Sequence, residues 1–139
     1  MKVRINAFSF RALVPLFCLM LANFGLNAQI GPTGGTFTTC SSTFTDPGGP
    51  ANYANSTNIS YTIQPTNAAA DRTSVSFSAF NIETGWDFLI VHDGPTASSP
   101  VLFSYTGATL PAAVTAAQGN SSGALTFRFT SDGFVTAPG

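Results

Sequence analysis

Apolar and polar residues alternate along several short runs of this chain. In Ile59-Ser-Tyr-Thr-Ile63 the apolar positions are 59, 61 and 63, with Ser60 and Thr62 between them. Val75, Phe77 and Ala79 repeat that period, as do Leu125, Phe127 and Phe129, opposite Thr126, Arg128 and Thr130. A period of two sends successive side chains to opposite faces, so each run predicts a strand with one buried face. Phe88 to Val91 is apolar throughout and predicts a strand covered on both faces. Val101 to Tyr105 predicts a further strand, and Gly34 to Thr39 one that opens a sheet.

Gly, Pro, Asn and Asp separate these runs at intervals of roughly ten residues, the spacing of turns in an all-β domain. Asp46-Pro-Gly-Gly-Pro50 and Asp93-Gly-Pro95 carry turn chemistry, because Pro presets φ and Gly accepts positive φ. The Ala-rich pieces Asn67 to Ala70 and Pro111 to Ala117 are too short to hold a helix and predict a loop and a weak strand. Strands with one apolar face and no helix between them are buried only by packing sheet on sheet. The expected fold is therefore all-β, a two-sheet antiparallel β-sandwich.

The N-terminus has a different texture. Lys2, Arg4 and Arg11 precede an apolar run from Ala12 to Leu26, and small Ala28 comes before Gln29. That order predicts a signal peptide over residues 1–28, with the domain at 29–139 and a destination outside the cytoplasm. The run is short for a membrane span and no basic stop-transfer segment follows, so no membrane insertion of the mature chain is expected. Removing 28 of the 139 residues leaves 111, enough for one domain with a core of its own. Arg72 and Arg128 then face Glu83 and five aspartates, a net charge of −4. With no lysine and no basic patch, a nucleic-acid partner has no electrostatic footing. Cys18 goes with the leader, where bulky Phe17 before it disfavours acylation; Cys40 is then odd in number and calls for a partner outside this chain or a free thiol.

Catalytic chemistry has little to draw on. His92 is the sole histidine and alternates with Phe88 and Ile90 inside a strand, a structural position. No nucleophile elbow and no zinc cluster is present. An acid–base pair of Asp87 and Asp132 is the remaining enzymatic option, and it needs a cleft and a raised carboxyl pKa. The expectation is a non-enzyme.

The acids have a geometry of their own. Asp87 precedes one predicted strand and Asp132 follows another, so antiparallel pairing puts both at the same end of the sandwich. Glu83, four residues before Asp87, reaches the same place. Asp93, six residues on, lies roughly 20 Å away and reads as a turn residue, as does Asp46. Glu83, Asp87 and Asp132 together would make a hard oxygen cage suited to Ca²⁺. The competing reading is that each acid caps a turn.

The ordered set Cys40, Phe44-Thr-Asp-Pro-Gly-Gly49, Tyr53, Tyr61-Thr-Ile63, Val75-Ser-Phe-Ser-Ala-Phe80, Glu83, Asp87-Phe-Leu-Ile-Val-His-Asp-Gly94 and Phe129-Thr-Ser-Asp-Gly-Phe134 resembles a CUB domain, particularly the bacterial secreted form. The resemblance implies a jelly-roll-like sandwich and a role in extracellular recognition, commonly as one module of a larger protein. It implies Ca²⁺ ligands at Glu83, Asp87 and Asp132, with Tyr53 supporting the site. Three departures stand out. The loop between Glu83 and Asp87 is shorter than in many animal members, which would angle Glu83 differently. Gln64 stands where the first cysteine's partner often is. Finally, the family continues past Ala137-Pro-Gly139 into a last core strand that often carries another cysteine, to which Cys40 would pair, so the sandwich is expected to be incomplete at its C-terminus and residues 29–139 alone poorly stable.

The expected function is thus a non-catalytic secreted binding module, Ca²⁺-supported, recognising an extracellular protein or glycan at the cell surface or beyond. The alternative is a structural or adhesive accessory module of a larger secreted enzyme such as a protease, partnered by other domains of the same protein.

Overall fold

A computed structural model describes residues 2–9, 29–30 and 33–139. Within these, ten strands and no helix occur: β1 (Lys2–Ser9), β2 (Gln29–Ile30), β3 (Gly35–Thr38), β4 (Ser41–Thr45), β5 (Asn58–Gln64), β6 (Asp71–Phe77), β7 (Phe88–Asp93), β8 (Val101–Tyr105), β9 (Val114–Thr115) and β10 (Leu125–Thr130). They form two five-stranded sheets, ordered β2-β4-β1-β6-β9 and β3-β5-β10-β7-β8. The all-β sandwich is as expected. Two edge pairings are parallel, β2 with β4 and β3 with β5, and the others antiparallel. No described helix is long and apolar enough to cross a membrane.

The core lies between the sheets. Phe44 of the first sheet meets Tyr61 and Phe127 of the second at ring-centroid distances of 5.6 and 5.3 Å. Val75 and Phe77 join it from β6, and Tyr61, Ile63, Leu89, Val91, Leu125, Phe127 and Phe129 from β5, β7 and β10. Removing these large side chains from water is the principal source of stability. Thr73 occupies a core position where an apolar residue would be usual, and donates its hydroxyl to the Ile63 carbonyl across the sandwich at 3.0 Å.

Three expectations change. Ala79 is exposed, because β6 ends at Phe77, and Thr73 takes the third inward position. Phe88 and Ile90 are only half-buried, so the outer face of β7 is not fully covered. Thr62 and Thr126, expected to face water, are buried. The loop after β7 lies over them: the Thr126 hydroxyl donates to the Gly94 carbonyl at 2.8 Å and lies 2.9 Å from the Thr62 hydroxyl, whose one proton is shared between Thr126 and the Pro95 carbonyl at 3.3 Å. His92 is sealed under the same loop, its Nδ1 2.8 Å from the Ser99 carbonyl, in keeping with a structural role.

The N-terminus brings the largest surprise. Lys2–Ser9, which reads as the start of a leader, is the middle strand of the first sheet, antiparallel to both β4 and β6. Its Val-x-Ile-x-Ala alternation, with Arg4 and Asn6 between, has the strand period. The apolar run Ala12 to Leu26, Cys18 and the expected cleavage point at Ala28 lie outside the described residues.

Candidate metal centre

Antiparallel pairing of β7 with β10 sets Phe88 opposite Thr130. Asp87, just before β7, and Asp132, just past β10, therefore emerge side by side. A tight turn returns Glu83 to them: the Asp87 N–H donates to the Glu83 carbonyl at 3.3 Å, and Gly85 takes φ +81°, the left-handed conformation that favours glycine. Thr106 braces the turn, accepting the Gly85 N–H at 2.7 Å and donating to the Glu83 carbonyl at 3.0 Å. The short loop thus does not hold Glu83 away. One carboxylate oxygen from each of Glu83, Asp87 and Asp132 lies within 4.8 Å of the others.

Tyr53 is the hub of this arrangement. It is buried against Phe129, with ring centroids 4.8 Å apart. Its hydroxyl donates to Asp87 Oδ2 at 2.5 Å and accepts the Glu83 N–H at 3.0 Å. Burial first, and then the bond to Asp87, push its pKa up to about 12, so the phenol remains a donor at neutral pH. Asp87 is fully buried, and its Oδ1 accepts the Asp132 N–H at 2.9 Å. Both of its oxygens are thereby aimed, and each retains a lone pair for another partner.

The remaining loops are tied to the same end. Ser131 Oγ accepts the Thr57 N–H at 2.9 Å and donates to the Ala54 carbonyl at 2.8 Å. Tyr53 N–H reaches the Ala137 carbonyl, and Asn52 Nδ2 bonds Thr136. Asp132 Oδ1 accepts the Phe134 N–H at 2.9 Å.

Charge is the unresolved element of this geometry. Glu83 Oε2 is sealed from solvent and has no hydrogen-bond partner among the described residues. Burial raises the Glu83 pKa, and the charges of Asp132 and then Asp87 raise it further. A buried acceptor without a donor, beside two more carboxylates, is costly unless a proton or a cation joins it. The donors are all hard oxygens, the set that suits Ca²⁺, and neither nitrogen nor sulfur takes part.

Two exposed aromatics flank the acids and are not evident from hydropathy. Trp86 precedes Asp87 and is 66% exposed; Phe134 follows Asp132 by two residues and is 76% exposed. Val135 beside it is exposed and held at φ +47°, a strained conformation for a β-branched residue. Their sequence signal was position, since each is an apolar residue inside a Gly-containing acidic turn.

The other residues singled out from the sequence lie elsewhere. Asp93, at the far end of β7, accepts the Ala117 N–H at 3.1 Å and Asn120 Nδ2 at 2.7 Å. Asp46 accepts the Gly48 N–H at 3.1 Å in a turn. Cys40 lies between β3 and β4, its Sγ 3.3 Å from Thr66 Oγ1.

Comparison with known proteins gives a consistent picture. The family model of the CUB domain matches residues 33–139. Cubilin of Homo sapiens is 34% identical over 123 residues, covering 84% of this chain and 3% of that protein. The chain therefore spans a small part of the curated relative's length. Among solved structures, the MASP-1 CUB2 domain bound to Ca²⁺ is similar with a TM-score of 0.61 and 25% identity, covering 77% of this chain and 93% of that one. The extracellular region of zebrafish Gpr126/Adgrg6 shares the fold, with a TM-score of 0.61 and 21% identity over 77% of this chain and 14% of that one.

Proposed function

The chain belongs to the CUB domain family, a family of extracellular, non-catalytic binding modules, and on that premise we propose that it is a secreted recognition module whose contact loops are held by Ca²⁺. Glu83, Asp87 and Asp132 are its metal ligands and Tyr53 positions Asp87. The observation that carries this reading is the convergence of three carboxylates within 4.8 Å, with Glu83 Oε2 buried and lacking a donor. The Ca²⁺-bound form of the similar MASP-1 domain supports it.

A bound cation would neutralise the mutual repulsion of the acids and fix the loops at 83–87 and 131–134 relative to each other. Trp86 and Phe134 would then be displayed at a set distance, and an extracellular protein or glycan is the partner. Residues 1–28 act as the signal peptide that delivers the module. No acid–base reaction is assigned to Asp87 and Asp132, since Asp87 is buried and both its oxygens already accept hydrogen bonds.

Titration calorimetry of the full chain with Ca²⁺ tests the site. Binding at millimolar Ca²⁺ or below, lost in Asp87→Asn and Asp132→Asn while the far-ultraviolet circular dichroism is retained, is the expected result. Absence of binding, or binding indifferent to both substitutions, refutes the metal role.

A second reading is favoured by the small shares of Cubilin and Gpr126/Adgrg6 that the chain covers, 3% and 14%. On it, the module anchors or spaces the other domains of a larger secreted protein, such as a protease. A pull-down in which Trp86→Ala and Phe134→Ala leave all partners bound would favour this reading over recognition by the loops.

A further inference from the structure

Of the three converging carboxylates, Glu83 is the one the sheets do not place. Asp87 adjoins β7 and Asp132 follows β10, and those two strands are paired. Glu83 lies in the segment between β6 and β7, so it reaches the other acids only while the turn from Glu83 to Asp87 stays closed. That turn has little to hold it from within. Thr84, Gly85 and Trp86 are all exposed, and none anchors it in the core. Its own hydrogen bond, from the Asp87 N–H to the Glu83 carbonyl, spans 3.3 Å, longer than the roughly 2.9–3.0 Å usual for such a bond. Closure therefore depends on groups outside the turn.

Those groups come from the end of β8. Leu89 is opposite Tyr105 in the β7–β8 pairing, so residues 106 and 107 run on beside the turn. The Thr106 hydroxyl accepts the Gly85 N–H at 2.7 Å and donates to the Glu83 carbonyl at 3.0 Å, so a single group spans the turn. The Gly107 carbonyl accepts the N–H of buried Ile82 at 3.0 Å, tying the entry of the turn to the same segment. Gly107 takes φ +80°, and a Cβ there would lie 3.0 Å from Thr84 Oγ1, so both conformation and space favour glycine. On the other flank the Tyr53 hydroxyl accepts the Glu83 N–H. The Glu83 backbone is thus held at its N–H by Tyr53 and at its C=O by Thr106.

We propose that Thr106 is a positioning residue for the cation: its hydroxyl, with Gly107 beside it, sets the affinity of the site for Ca²⁺ by fixing Glu83, without touching the ion. The role needs a group that donates and accepts at once, which a hydroxyl does and a methyl of the same shape does not. Groups that orient a metal ligand from behind typically change metal affinity by about 10–100-fold. The proposal rests on the Ca²⁺ reading of Glu83, Asp87 and Asp132, and its test tells the two apart.

Thr106→Val, Thr106→Ser and Gly107→Ala are made in the full chain. Each is titrated with Ca²⁺ by calorimetry, and its urea unfolding and amide exchange are followed without Ca²⁺. Thr106→Val is expected to weaken Ca²⁺ binding by about tenfold or more and to speed exchange at the Gly85 and Asp87 amides. Thr106→Ser, which restores the hydroxyl, should stay within about threefold of the unsubstituted chain. Gly107→Ala keeps the hydroxyl and crowds Thr84, so it too should weaken binding, and it gives the answer if Thr106→Val does not fold. Unchanged affinity in Thr106→Val or, where that variant does not fold, in Gly107→Ala overturns the proposal, as does a Thr106→Ser variant as weak as Thr106→Val. A loss of unfolding stability with Ca²⁺ affinity intact assigns Thr106 to structure alone and overturns it equally. An unsubstituted chain that binds no Ca²⁺ at millimolar concentration overturns the metal reading itself, and the proposal with it.

Discussion

The strand β7 has an aspartate at each end, and the two have opposite surroundings. At the far end Asp93 stands alone, its Oδ1 accepting from the Ala117 backbone and the Asn120 side chain. At the near end Asp87 is one of three converging carboxylates, and a neighbouring oxygen, Glu83 Oε2, has no donor. The far end therefore satisfies its charge with N–H groups and is complete as a structural joint. The near end is organised and under-neutralised, which is the condition of a cation site. A carboxylate's role is set by the balance of donors to acceptors around it, more than by its burial or position in a turn.

Replacing each aspartate in turn breaks the comparison most sharply. Asp87→Ala leaves the Tyr53 hydroxyl and the Asp132 N–H without their acceptor, and each orphaned buried group costs roughly 1–3 kcal/mol. A loss of about 3 kcal/mol or more in urea unfolding, together with loss of the Ca²⁺ response, is expected. A smaller loss, with the Ca²⁺ response kept, would place the two ends of β7 on an equal footing.

Calcium itself separates the ends next. If the near end binds Ca²⁺ in the folded state only, a free concentration one hundredfold above Kd adds about 2.7 kcal/mol of stability, and chelation removes it. The pH dependence carries the signature of Glu83. Its raised pKa means that, without the cation, the folded state holds the proton more tightly than the unfolded chain. The resulting penalty is present above the folded pKa and is relieved as pH falls through it toward the usual glutamate value of 4.5. With Ca²⁺ bound the trend reverses, because protons compete with the ion for the same oxygen. Thermal melts across this window, with and without Ca²⁺, should diverge as pH rises, and Glu83→Gln should narrow the divergence.

Tyr53→Phe keeps the ring against Phe129 and deletes one hydroxyl that serves two partners. About 1–2 kcal/mol of stability should be lost, along with a weakening of Ca²⁺ binding seen by calorimetry, since Asp87 loses a positioning donor. Asp93→Ala has the smallest expected effect, about 1 kcal/mol from bonds that are partly solvated, with Ca²⁺ affinity unchanged. An altered affinity would show that the two ends communicate through β7.

Much of this was legible in local pattern. Strict alternation at 59–63 and 125–129 located β5 and β10 and their inward faces, because side chains a strand apart by two residues must share a face. The same reasoning brought Asp87 and Asp132 to one end, since antiparallel neighbours exchange beginnings and ends. Alternation misled where a loop intervened: Thr62 and Thr126 have polar strand positions, yet the segment after Asp93 covers them and supplies carbonyl acceptors. The exposure of Trp86 and Phe134 is hidden for a related reason. Apolar residues are expected inside, and only the turns that carry them outward reveal their exposure.

By itself, the sequence determined the strand period, the sandwich and the set of acids at one end, because these follow from short-range geometry repeated along the chain. Tertiary structure alone decided three things. It closed the Glu83 turn onto Asp87 through Thr106 and Tyr53, it left Glu83 Oε2 without a donor, and it placed Lys2–Ser9 between β4 and β6. Each depends on which distant segments meet. Hydrogen-bond satisfaction and strand pairing are properties of neighbours in space, and a pattern read along one dimension does not contain them.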